Sequence, residues 1–131
     1  MLVGAKASEV LTCAVTFDDA STINSATSLS AYLRRNGIST EVLFRGSVSK
    51  QFEKARKLAP EVVVVVGFQS EGRVRVRIVP LLPEALGYEA YSDVPKLCQL
   101  IQGLPGAEIQ NERGYEVIVP KQSLEQLSSP T

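Results

Sequence analysis

Five consecutive valines, Val62 to Val66, followed by Gly67, constrain the fold of this chain more than any other segment. Side chains along a strand alternate between its two faces, so a strand without a polar member must be buried on both. Such a strand belongs at the centre of a parallel sheet covered by helices on each side. The preceding segments supply the partners. Val10 to Phe17 is apolar and β-branched and stops at Asp18-Asp19, which reads as a strand. Ser21 or Thr22 can cap a helix whose apolar positions Ile23, Ala26, Leu29 and Leu33 recur at three and four residues, with Gly37 as its left-handed stop. Thr40 to Phe44 is a second strand. Arg45-Gly46-Ser47 then turns the chain, and Ser47 is a good cap for a helix that buries Val48, Phe52, Ala55 and Leu58. Lys50, Glu53, Lys54 and Lys57 stay outside that helix, and Pro60 ends it.

Beyond the valines the period changes. Arg73 to Val79 alternates, with Val74, Val76 and Ile78 on one face and Arg73, Arg75 and Arg77 on the other. The turn before it, Gln69 to Gly72, is too short for a crossover, so this strand returns antiparallel and is expected at the sheet edge. Residues 80–91 are irregular. Ser92 or Asp93 caps a third helix with a stripe of Val94, Leu97, Cys98 and Ile101. Glu108 to Asn111 and Tyr115 to Val119 form a hairpin, and beyond Pro120 a short helix turn at Leu124 and Leu127 frays into a tail. The order βαβαββα with a C-terminal hairpin predicts an α/β three-layer sandwich. Its mixed sheet has three parallel strands plus antiparallel edge strands. The expected organisation is one domain over 1–131, in which 107–131 is an extension of hairpin and flexible tail.

Several function classes fall away on composition. The chain of 131 residues has no histidine, the commonest general base and metal ligand, and no Gly-rich nucleotide loop. Cys13 and Cys98 are isolated on apolar elements and are expected to act as small buried hydrophobes, without metal-ligand spacing. Neither a catalytic centre nor a metal or other cofactor is expected. No apolar run approaches the length of a membrane span, and Lys6 and Glu9 interrupt what a signal peptide would need, so the expectation is a cytoplasmic protein with no membrane partner.

Net charge is zero, but it is segregated. Between Arg34 and Arg77, ten basic residues face four acidic ones, a net +6, and the flanks hold four against ten, a net −6. The same segment carries a resemblance. Leu33-Arg34-Arg35-Asn36-Gly37-Ile38, a strand, Arg45-Gly46-Ser47-Val48-Ser49-Lys50-Gln51-Phe52, Ala55, Leu58 and Val62 to Gly67 resemble the C-terminal anticodon-binding domain of class II aminoacyl-tRNA synthetases. The histidyl enzyme is the most similar. The resemblance covers Val10 to Val79 well and Asp93 to Leu104 loosely, and includes no counterpart of the catalytic core. It implies a non-catalytic RNA-binding module that grips tRNA or another structured RNA.

Residue chemistry names a surface for that grip. The Arg45-Gly46-Ser47 turn offers backbone N–H groups and a helix N-terminus to phosphate. Lys50 and Lys54 stand just beyond, Gln51 can reach a base edge, and Asp18 can accept from base amino groups or serve the turn. Arg73, Arg75 and Arg77 stand about 6.5–7 Å apart along one strand face, close to phosphate spacing. The same charges would also guard a sheet edge against aggregation. A second class of function stays open on this fold, a protein-interaction or dimerisation module within a larger tRNA-sensing or accessory protein.

Overall fold

In the computed structural model, residues 12–43, 50–51, 53–54, 57, 60–81, 94–112 and 115–127 are described. They form one mixed sheet of six strands. β1 (Cys13–Phe17) lies between β2 (Thr40–Val42) and β3 (Val62–Ser70) and is parallel to both. β4 (Arg73–Pro80) returns antiparallel along β3. The chain then adds β5 (Glu108–Ile109) as the outermost strand, and β6 (Glu116–Pro120) fills the gap between β4 and β5, antiparallel to each.

The helices are α1 (Ile23–Arg35), α2 (Val94–Gln102) and α3 (Lys121–Leu127). Lys50, Gln51, Glu53, Lys54 and Lys57 are helical as well. Asp19 starts α1 by capping the 3-10 turn Ala20–Thr22 that leads into it. At the other end Gly37 adopts φ +87°, its N–H bonds Arg34 O at 3.0 Å, and Ile38 N bonds Leu33 O at 2.9 Å. These are the two bonds of a Schellman stop, and buried Ile38 and Leu33 make its apolar contact. Arg34 adds a side-chain tie, with Nε donating to Thr40 O at 2.8 Å.

Val62 to Val66 are buried on both faces, as their composition demands. On one face Val62, Val64 and Val66 join Val15, Val76 and Val119 beneath Leu29, Leu33, Leu97, Ile101 and Leu124 of the three helices. Each such side chain stabilises the fold by about 1.5–3 kcal/mol through its burial. On the other face Val63 and Val65 pack with Ala14, Leu43, Val79 and Leu81. The chain moves outward from β1 to β2 and back across to β3. Right-handed crossovers therefore put α1 and the lysine-bearing helix on opposite faces.

One expectation at the C-terminal side changes. β4 does not sit at the edge, because β6 pairs along it from Arg73↔Pro120 to Arg77↔Glu116. Its arginine alternation is therefore no edge guard. The helix turn expected at Leu124 and Leu127 is present as α3, and the tail beyond it lies outside the described residues. α3 packs on α1, buries Leu124 completely, and ties back through Ser123 Oγ, which donates to Pro105 O at 2.7 Å.

Candidate nucleic-acid interface

The alternation of β4 sends Val74, Val76 and Ile78 into the helical core and leaves Arg73, Arg75 and Arg77 on the opposite face. Over β4, β6 and β5 no described helix covers that face, and the three guanidinium groups stay half-exposed. Each has an acidic neighbour. Arg73 pairs with Glu108, Arg75 Nε lies 3.4 Å from Glu116 Oε2, and Arg77 Nη2 lies 4.0 Å from Asp18 Oδ2. Gln69 Oε1 also accepts from Arg75 Nε at 3.0 Å and Nη2 at 2.8 Å. That fork fixes the plane of the central guanidinium.

Half-exposed ion pairs contribute about 0–1 kcal/mol, because water and salt screen them. The carboxylates thus orient the arginines and can give way to a stronger ligand such as a phosphate, which takes two parallel bonds from one guanidinium. Charge on the sheet face itself balances, three acids against three arginines. Long-range attraction for an anion falls to the exposed lysines. Lys50, Lys54 and Lys57 are spaced four and three residues apart, which places them on one stripe of their helix, and all three are exposed.

Asp18 and Asp19 follow β1. Asp19 is a cap: its Oδ1 accepts from Ser21 Oγ at 2.6 Å and Ser21 N at 2.8 Å. Those two donors hold its carboxyl below the ordinary aspartate range. Asp18 instead lies over Gly67 of β3 and faces Arg77. Gln51 is turned inward. It is 2% exposed, and its Oε1 accepts from Phe17 N at 3.2 Å. Among the described residues, Leu43 N bonds Val15 O, and two residues further along β1 the acceptor for Phe17 N is Gln51 Oε1. Its carbonyl serves the sheet rather than a base edge. Arg45 and Ser47 lie outside the described residues, as do the apolar stripe of their helix and the capping residues Ser92 and Asp93.

Of the tyrosines, Tyr32 and Tyr115 pack against the core, and Tyr32 Oη donates to Leu100 O at 3.2 Å. Tyr88 and Tyr91 lie outside the described residues. Among the described residues the exposed aromatic ring is Phe68, at 57%. Its local pattern conceals this, because Phe68 follows the apolar run with the phase of Val64 and Val66. β1 ends opposite Val66 while β3 runs on to Ser70, so position 68 passes beyond the packed layer.

Both cysteines are free and buried, and desolvation pushes the Cys13 thiol far above its ordinary range. No described group of acids and cysteines could hold a metal ion, and no described helix is long and apolar enough to cross a membrane.

No protein-family model matches the chain, and no curated protein matches it in sequence. Among solved structures it is similar to the RNA binding domain of threonyl-tRNA synthetase from Cryptosporidium parvum Iowa II. That similarity has 16% identity and a TM-score of 0.47, over 63% of this chain and 24% of that one. It is also similar to apo histidyl-tRNA synthetase of S. aureus, at 21% identity and a TM-score of 0.46, over 60% of this chain and 22% of that one.

Proposed function

We propose that this chain is an RNA-binding module of the anticodon-binding type, non-catalytic by itself, that takes tRNA or another structured RNA with an unpaired segment. One observation carries the reading. Three arginines stand in a row on the sheet face over β4, β6 and β5, a part that no described helix covers, each held by a partner weak enough to be displaced. The lysine stripe supplies the attraction, and the sequence resemblance between Leu33 and Gly67 points the same way. The experiment is a fluorescence-anisotropy titration of an anticodon stem-loop at several salt concentrations. Lys50→Glu with Lys54→Glu should weaken binding at least tenfold and flatten the salt dependence, by about 0.7 in slope for each single-strand phosphate no longer neutralised. Equal binding by wild type and the double variant removes the proposed surface.

A second reading has its own observation. Ile109 is 52% exposed on β5, the last strand of the sheet, whose outer side faces no described strand. An apolar residue on an unpaired edge suits homodimerisation or docking within a larger protein assembly. Light scattering decides it: the mass of two chains, reduced to one by Ile109→Lys, supports this reading, and a single-chain mass for wild type rejects the homodimer.

A further inference from the structure

Phe68 shares the helical-core face of β3 with Val64 and Val66, and stands at a cleft of about 130 Å³ between the 3-10 turn, the β3–β4 hairpin and the start of α3. Ser21, Thr22, Glu71, Arg73 and Lys121 help to line it with the exposed ring. These groups divide by chemistry. Ser21 Oγ gives its proton to Asp19 Oδ1, and Thr22 Oγ1 is within donating distance of Asp19 O and Val66 O. Thr22 is buried, at 1% exposure, so the acceptors that face the cleft are the Ser21 hydroxyl oxygen and the Glu71 carboxylate. Arg73 and Lys121 are donors that carry positive charge.

We infer that this cleft is a subsite for one unstacked nucleobase with an exocyclic amino group, such as adenine, cytosine or guanine. The inference rests on the RNA-binding reading and adds a base subsite to it. The base lies on the Phe68 ring, as unpaired RNA bases do on exposed aromatics. Its amino group donates to the acceptors at the rim, which matches a carboxylate to an amino-bearing base edge. The neighbouring phosphates meet Arg73 and Lys121. Arg73, at the hairpin end of β4, lines this cleft and is also a member of the arginine row on the opposite face, so it is the residue the two sites share. The cleft is small, which limits it to a single base.

The chain contains no tryptophan, so Phe68→Trp makes a unique fluorescent reporter at the site. The full chain is titrated with short fluorescein-labelled strands of adenylate, cytidylate, uridylate and an abasic ribose-phosphate, with anisotropy as the measure of binding. Unlabelled strands of the same four kinds are titrated separately to read tryptophan emission. The expected result is saturable quenching by adenylate and cytidylate, with about tenfold weaker binding of the abasic strand and of adenylate to Phe68→Ala. Uridylate should bind less tightly than adenylate and cytidylate. Binding without quenching, or equal affinity for the abasic strand, overturns the subsite and leaves the RNA reading standing. Failure of every strand to bind at low salt overturns both.

Discussion

The Asp18 carboxylate lies over the bare α-carbon of Gly67, so close that a β-carbon there would stand 2.7 Å from Oδ2 and 2.8 Å from Oδ1. The glycine that ends the valine run therefore makes room for an acid arriving from the neighbouring strand. That acid in turn faces Arg77, 4.0 Å away. One missing side chain connects the centre of the sheet to the first arginine of the exposed row.

Gly67→Ala should lower stability by about 1–3 kcal/mol through overpacking. Adding Asp18→Ala removes the obstructing carboxylate and should recover most of the loss. Urea denaturation of the two single variants and the double variant measures the coupling. Strictly additive effects would show that the two residues do not compete for the same space.

Gln51→Met keeps a side chain of similar length and removes the acceptor for Phe17 N. Leaving that buried donor unpaired should cost about 1–3 kcal/mol, read as a lower urea midpoint at constant m. RNA affinity of the folded protein should stay at the wild-type level. A loss of affinity without a loss of stability would return Gln51 to the interface.

Asp19 sets a dependence on pH. Its carboxyl is depressed in the folded state below the reference value of 3.8 by the Ser21 hydroxyl and backbone N–H. The folded state then binds fewer protons than the unfolded one at acid pH. The contribution is complete above about 4, the unfolded aspartate range, and is lost as pH falls through the lower folded value. Asp19→Asn keeps a capping oxygen without titrating. Its unfolding midpoint, followed by circular dichroism, should fall less between neutral pH and pH ~2 than that of wild type.

Arg75→Met separates stability from binding. The side chain it removes is half-exposed, so its ion pair should contribute less than about 1 kcal/mol. Its guanidinium is nonetheless central in the row, and RNA affinity should fall severalfold. Paired thermal melts and anisotropy titrations check both halves. A variant that melts much earlier yet binds normally would make Arg75 a structural residue.

The sequence alone determined much of this architecture. Five consecutive valines with no polar residue among them cannot sit anywhere except between two covering layers, and Gly37 after an amphipathic run can hardly be other than a helix stop. The alternation of Arg73 to Val79 by itself puts three arginines on one face. These are local consequences of side-chain period and backbone conformation, which neighbouring residues carry without outside help. Only the tertiary structure decided what those faces meet. It inserted β6 beside β4, supplied Glu108 and Glu116 from a segment more than thirty residues away as partners for Arg73 and Arg75, turned Gln51 inward to accept from Phe17 N, and left Phe68 beyond the end of β1. The physical reason is the same in each case. Strand order, strand length and the partner of a charge depend on pairing between distant segments, and that choice is made by the whole sheet.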